Sequence, residues 1–521
     1  MPDRPPASGL LHDVSRSVFW NTALLPLVTT AGLLLSILVR RSFGLESGFY
    51  DVALGIANSI LFYSGLGLAG SLPKFLPEVQ ARAGRTATRR LVVRLGSIRL
   101  AVVIGIVIPL NIWAEPLART MNLGPDGSAY LRLLTAILIG RAVLDFAYRA
   151  LDSFFRQLTV NVLSLAHGVL DLVLVALVVL MGLQISGVIA AFGVSAIVLA
   201  LVASVALFRC LQALPSVTAA VHEPEPPPSR IWTLSGITYI RDLSLYFATP
   251  AFASPVLLKM LGSPEPVALF ATSFFVASST VTLVVSGFRG IYRPAFVHVM
   301  AAGDRAELHR AFDLINKVQI LAVVPAGIGL AVMVGDYLPL LYGEPFIAAV
   351  PVARALVLLL FAETAMAVGA LVMWVGERYR PLLAGQLIMV AGAPLFIWTA
   401  GQSGLLAAAL VLGGSRLAAS VYGYTAARST YGVRYPWRFA GKVTLVSTVM
   451  AIVLGAIRQV WPTSIIEAAT LTTLGVLLFI FGVRLFHVLG SGEIDVLERS
   501  SFPGKHLLAR WLRGARSESN P

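Results

Sequence analysis

The 521-residue chain has a single cysteine, Cys210. No disulfide can therefore form within it, and no cysteine-based metal site is visible. Charge is scarce as well: 13% of residues are Asp, Glu, Lys or Arg, against about 25% in a soluble globular domain. There is no G-x-x-x-x-G-K-[ST] loop, no Cys/His metal constellation and no G-x-S-x-G element, so ATP-driven or serine-nucleophile chemistry has no carrier here and no cofactor is implied. The ~10-residue alternating segments of a transmembrane β-barrel are missing too.

What fills the chain instead is apolar sequence, 57% of residues. Runs of roughly 20 apolar residues recur from end to end, each long enough to cross a bilayer as a helix. A hydropathy pass predicts about fourteen spans, at 17–39, 50–73, 95–114, 129–151, 158–181, 184–208, 232–258, 266–288, 314–335, 348–374, 380–400, 403–426, 440–458 and 463–486. The first run is too long for a signal-peptide core and reads as a retained span. The Pro-rich, polar stretch 209–231 reads as a cytoplasmic linker between two halves.

The net charge of +14 first suggests nucleic acid, but its placement points to membrane topology, and no nucleic-acid partner is expected. One set of connections carries Arg82, Arg85, Arg89, Arg90 and Arg94, then Arg305, Arg310, Arg378, Arg428, Arg434 and Lys442. The opposite set carries only Arg40, Arg41, Arg119, Lys259 and Arg458. By the positive-inside rule the first set is cytoplasmic, and an even number of spans places both termini there. A multi-pass protein of the cell (inner or plasma) membrane is expected.

The halves resemble each other. PKFLPEVQARAGRTATRRL (73–91) and IYRPAFVHVMAAGDRAELHRAF (291–312) both leave the membrane through Pro and aromatic residues. Both reach an Ala-Gly pair and then start a basic helix. The offset is about 219 positions, which makes the seventh span the counterpart of the first. The chain then divides into 1–208, a six-helix bundle; the linker; 232–430, a second bundle; 431–490, two additional helices; and 491–521, a basic tail. Parallel repeats of this kind are one way to build alternating access. The fold class is all-α membrane protein: about 14 transmembrane helices in two six-helix bundles with parallel internal repeats, plus two C-terminal helices.

In PKFLPE (73–78), in RPAF (293–296) followed by AAGDRAEL (301–308), and in PAGIGLAVMVGDYLPLLYGEPF (325–346), the chain resembles the polysaccharide-type flippases of the multidrug/oligosaccharidyl-lipid/polysaccharide exporter superfamily. The resemblance covers nearly the whole chain in layout. It implies two six-helix bundles around a central cavity. It also implies a transporter that moves undecaprenyl-diphosphate-linked oligosaccharides from the cytoplasmic to the outer leaflet for cell-surface polysaccharide, with no enzymatic activity. Lipid-linked oligosaccharide is then the implied partner, with a coupling proton or cation, and a polysaccharide polymerase or glycosyltransferase as protein partners. The tail from Ser491 reads as membrane-apposed, with glycosyltransferase docking the alternative. Glycan polymerases and ligases resemble one another in carrying a long extracytoplasmic loop, and every outward connection here is short.

A charge at the bilayer centre costs at least ~2.5–3.5 kcal/mol, so each intramembrane ionisable residue is a functional hypothesis. AILIGRAVLDFAYRALDSFFRQ (136–157) carries Arg141, Asp145, Arg149, Asp152 and Arg156 at helical spacing. Arg149, Asp152 and Arg156 read as a snorkelling, salt-bridged helix end. Arg141 and Asp145 lie deeper, and two readings stand: an ion pair within the bundle or a cavity-lining site. Asp171, mid-span, needs a partner such as an arginine of the fourth span. His167 reads as a packing residue, with proton carriage the alternative. Arg241 and Asp242 are adjacent and are expected to point apart. Glu363 has no basic residue within one turn, so it finds a partner on another helix or is protonated.

Guanidinium groups bind phosphate oxygens in a fork without losing their proton. Arg141, Arg241, Arg354 and Arg416 are therefore the expected diphosphate ligands, with Asn161 and Tyr239 for the sugar. Asp145, Asp171 and Glu363 are the expected ion-coupling acids. A multidrug cation antiporter of the same superfamily is an alternative, although an arginine-bearing cavity favours an anionic substrate. A flippase for the peptidoglycan lipid precursor is another. That branch carries charge in its first span, whereas SVFWNTALLPLVTTAGLLLSILV (17–39) has none.

Overall fold

The computed structural model describes residues 7–214, 228–460 and 464–490, with Ile494. Most of the expected linker and of the basic tail lies outside the described residues. Among those described the chain is helical, with no strand. The first half comprises α1 (Ala7–Phe43), α2 (Ser47–Tyr63), α3 (Leu68–Ile112), the short α4 (Ala114–Thr120), α5 (Gly127–Ser153), α6 (Gln157–Leu180) and α7 (Ile185–Ala213). The second comprises α8 (Pro228–Tyr246), α9 (Pro250–Leu261), α10 (Pro264–Ala302), α11 (Arg305–Tyr342), α12 (Val350–Met366), α13 (Val368–Val375), α14 (Tyr379–Gln402) and α15 (Gly404–Tyr431). Two more helices follow, α16 (Trp437–Val460) and α17 (Ile465–Leu485).

Eleven helices among the described residues are long and apolar enough to cross a membrane, or up to twelve with the bent pair α8–α9 taken as one span. The chain is a multi-pass membrane protein. The fourteen expected crossings differ from this number for two reasons. A 3₁₀ turn, Gly44–Glu46, joins α1 to α2, so Leu24–Tyr63 counts as one run. Helix α5, which carries Arg132, Arg141, Asp145, Arg149 and Asp152, is not among those counted.

The helices start where their sequences say. Pro250 and Pro264 open α9 and α10, where a missing N–H costs nothing. Asp304 caps α11 by accepting from the Ala306 and Glu307 amides. Ser464 and Glu467 close a capping box on α17.

The repeat is visible in backbone geometry. At Gly84 (φ 73°, ψ −171°) the helix α3 reverses between two crossings, and at Gly303 (φ 72°) α10 gives way to α11. Both positions have positive φ, which only glycine adopts freely. Equivalent helices also pack alike: α5 on α7 as α12 on α15, α3 on α5 as α11 on α12, and α1 on α6 as α8 and α9 on α14.

The symmetry fails where the halves meet. Residues 64–67 interrupt the second crossing, with Leu66 and Gly67 at φ 50° and 69°, while its counterpart α10 is continuous. A Cβ on Gly67 would lie 1.9 Å from the Ser235 carbonyl oxygen, so α8 sits on that break. In the second half α8 and α9 bend by 45° at 247–249, while α1 runs through. Toward the Gly44 end one apolar core spans both halves, from Val39 and Ala57 to Leu257, Phe270 and Leu356. Toward the Gly84 end the core is divided, one part around Leu76, Leu144 and Leu207 and another around Phe296, Phe312 and Phe439.

Candidate functional site

Two polar cavities, each of about 520 Å³, lie between the halves. The first is walled by α1, α2, α5, α6, α9 and α10 and holds Arg40, Asp51, Asn58, Arg141, His167 and Asp171. The second is walled by α2, α3, α5 and α8. It holds Arg99, Arg141, Asp145, Arg149, Asp152, Tyr239 and Asp242. Arg141 and Asn58 line both and mark where they meet.

The intramembrane arginines differ in how they are neutralised. Arg40, 3% exposed, gives Nη2 to both oxygens of Asp51 at 3.1 and 3.2 Å and Nη1 to Ser36 at 3.1 Å. Its Nε donates to Thr272 of the other half. Arg99, also buried, reaches Asp145 at 3.6 Å. Arg241 bonds Asp242 at 2.6 Å and lies 4.4 Å over the Trp374 ring. Arg416 holds Glu363 bidentately and gives Nη1 to the Ala248 carbonyl, 3.0 Å away, at the α8–α9 break. Arg458 pairs with Asp336. Arg141, half-buried, makes no hydrogen bond or ion pair among the described residues, although its charge reaches His167 and Asp171. Arg149 likewise has no ion pair among the described residues but is exposed near the helix end.

These contacts sort the residues expected from sequence. Arg141, Asp145, Asp171 and Tyr239 line the cavities. Arg354 does not: it is exposed and its Nε donates to the Ala331 carbonyl at 3.2 Å. Asn161 lines neither cavity. Glu363 finds its partner on another helix. Asp171 is buried, and His167 of its own helix lies 3.7 Å away, with Arg141 across the cavity.

Two expectations are corrected. Arg241 and Asp242 do not part company, because the arginine side chain is long enough to curl back along the helix onto its neighbour. Nor do Arg149, Asp152 and Arg156 form one salt-bridged helix end. Helix α5 stops at Ser153, Phe155 takes φ 57°, and Arg156 precedes α6. Arg149 and Asp152 face the second cavity instead. Arg99 and Arg40 escaped the sequence reading: Arg40 follows the first span and Arg99 lies just inside the start of the third, close to the basic connection 82–94, and their burial distinguishes them.

No family model and no curated protein sequence matches the chain. Solved structures do. The lipid II flippase MurJ in an inward closed conformation aligns with a TM-score of 0.71 at 11% identity over 91% of this chain and 98% of that one. An inward-facing multidrug resistance MATE family transporter of the MOP superfamily aligns with a TM-score of 0.62 at 13% identity over 78% and 94%. A MOP superfamily transporter from Pyrococcus furiosus aligns with a TM-score of 0.56 at 13% identity over 81% and 95%. The chain therefore has the fold these transporters share.

Proposed function

We propose that the chain is a flippase moving lipid-linked oligosaccharide, carried on undecaprenyl diphosphate, from the cytoplasmic to the outer leaflet for cell-surface polysaccharide. The observation that carries this reading is Arg141. It is a half-buried guanidinium at the junction of two polar cavities, with no carboxylate among the described residues holding it. A diphosphate supplies the missing anion in the bidentate geometry that arginine favours. Arg99 and Tyr239 stand beside it in the second cavity for further phosphate and sugar contacts.

A lipid-linked substrate also needs room for its chain. An apolar cavity of about 530 Å³ opens between α1, α10, α11, α16 and α17, lined by Leu33, Leu283, Leu330, Met450 and Phe479. The two additional helices thus build one wall of a lipid-compatible groove. The arginine-rich Gly84 end is read as cytoplasmic, where the divided core lets the halves separate. Rocking about the shared core at the Gly44 end would then carry Arg141 from one side to the other. Asp171, buried in the first cavity beside His167, is the acid proposed to couple a proton or cation. Glu363 and Asp145 are already neutralised by Arg416 and Arg99.

A second reading, a flippase for the peptidoglycan lipid precursor, is favoured by the extent of the overlay on the lipid II flippase. Depletion of the protein in its own cell separates the two. Accumulation of lipid-linked oligosaccharide on the cytoplasmic leaflet with intact peptidoglycan supports the first, lysis with loss of peptidoglycan the second. Unchanged surface polysaccharide and unchanged peptidoglycan, with no redundant transporter, would sink both.

A further inference from the structure

A third polar cavity, of about 550 Å³, lies at the Gly44 end, away from the two described above. All three connections of the first half at that end build it: the α1–α2 turn, the α4–α5 loop and the α6–α7 turn. Its floor is aromatic, with Phe43, Phe49 and Tyr130, the last two rings 6.1 Å apart. Its rim carries Glu46, Asp126 and Gln184, whose side chains make no hydrogen bond or ion pair among the described residues. Glu46 and Asp126 are exposed at the mouth. Tyr130 is 6% exposed; its hydroxyl has no hydrogen-bond partner among the described residues and lies within electrostatic reach of both carboxylates.

The fold repeat does not demand these residues. At an offset of about 219 positions the counterpart of Phe49 is Ala268. With α5 starting at Gly127 and α12 at Val350, 223 residues later, that of Tyr130 is Ala353; both alanines are buried in the second half. The aromatic floor is therefore an addition to the first half. The Tyr130 hydroxyl is open to the cavity and free to bond a ligand there. An aromatic face, two carboxylate acceptors and an amide that both donates and accepts form the chemical complement of a sugar ring. The C–H face of the ring stacks on the aromatics while its hydroxyls bond the rim. The volume falls within the ~300–1,000 Å³ range of small-ligand sites.

We infer that this cavity binds a sugar ring of the exported glycan on the far side of the membrane from the Gly84 end. The inference rests on the proposed transport reading for the source of the sugar, but its test does not. The full chain in lipid nanodiscs is titrated with the methyl glycosides of glucose, galactose, rhamnose and N-acetylglucosamine, followed by saturation-transfer NMR. At least one should bind saturably, with a Kd on the order of 1 mM. Tyr130→Phe, Asp126→Asn and Glu46→Gln should each weaken it at least about fivefold. Arg141→Ala should leave it unchanged. Tyr130→Phe keeps the ring packing, so loss of binding in a variant of unchanged melting temperature reports the hydroxyl itself. Absence of saturable binding by all four glycosides would overturn the inference, as would equal binding by the three rim and floor variants. Loss of binding in Arg141→Ala would also overturn it, by placing the sugar in the central cavities. Binding of calcium chloride alone would assign the carboxylates to a cation instead. Normal lipid flipping with no glycoside binding would leave the transport reading standing and this one fallen.

Discussion

Arg416 grips Glu363 with two arms of its guanidinium, Nε to Oε2 at 2.7 Å and Nη2 to Oε1 at 3.0 Å, across 53 residues of sequence. The third arm holds the Ala248 carbonyl, freed where α8 ends short of α9. One side chain thus ties α15 to α12 and to the bend in the seventh crossing. Breaking a partly buried pair leaves an uncompensated charge, at about 3–5 kcal/mol. Glu363→Ala and Arg416→Ala should each lower the melting temperature of the purified protein markedly. Arg416→Met with Glu363→Leu, which removes both charges and keeps volume, should recover most of the loss. If the single variants melt like the parent, Glu363 is not a structural partner and returns as a candidate for ion coupling.

Arg141 should behave in the opposite way. With no ion pair to lose, Arg141→Ala should insert and fold with stability within about 1 kcal/mol of the parent, while lipid flipping in reconstituted vesicles falls at least about tenfold. Arg141→Lys should recover only part, since an ammonium meets phosphate as a point charge. Retained flipping in Arg141→Ala would remove the main support for an anionic substrate.

Asp171→Asn keeps the shape of the side chain and removes its charge. If Asp171 couples transport to a proton or cation, the variant should bind substrate yet lose dependence of flipping on the imposed ion gradient. Flipping that still follows the gradient in Asp171→Asn would exclude this residue from coupling.

Closure at the Gly84 end rests on direct contacts between α3 and α8. The Ser71 and Ser235 hydroxyls are 3.0 Å apart, and Arg230 pairs with Glu78 at 2.8 Å. With Cys210 replaced by Ala, a Ser71→Cys, Ser235→Cys variant should crosslink under mild oxidation. Flipping should stop when it does and return on reduction. A crosslinked protein that still flips lipid would rule out separation of the halves at this end as part of the cycle.

Gly84 and Gly303 end equivalent helical segments with different ψ. Gly303 sits in the left-handed helical region, where asparagine is tolerated. Gly84 sits near φ 73°, ψ −171°, a region essentially confined to glycine. Gly303→Asn should therefore cost little, while Gly84→Asn should cost on the order of 1–3 kcal/mol. Thermal unfolding in detergent reads both, and equal losses would contradict the backbone assignment.

Much of the architecture was legible because it follows from local pattern. Apolar length set the crossings, and the Ala83-Gly84 and Ala302-Gly303 pairs marked the same turn twice, because a helix that must reverse needs a residue free to take positive φ. Glu363 was legible as a carboxylate needing a distant partner, since no basic residue lies within a helical turn of it. Hydropathy ended the fourth crossing at 151 and opened the fifth at 158, close to the ends of α5 and α6, but nothing in SFFR (153–156) announces that the charged helical stripe itself breaks there, as no Gly or Pro stands in it.

The partners of the buried charges were decided by tertiary structure alone. Whether Asp145 meets Arg141 four residues away or Arg99 on α3 depends on the rotation and depth of two packed helices. So does the meeting of Arg416 with Glu363, and of Arg40 with Thr272 across the two halves. Sequence periodicity fixes which face of a helix a charge occupies, but not what stands opposite that face. The sequence determined that this chain carries arginines into a membrane, and the packing of its two halves determined that Arg141 is left in the cavities without a carboxylate.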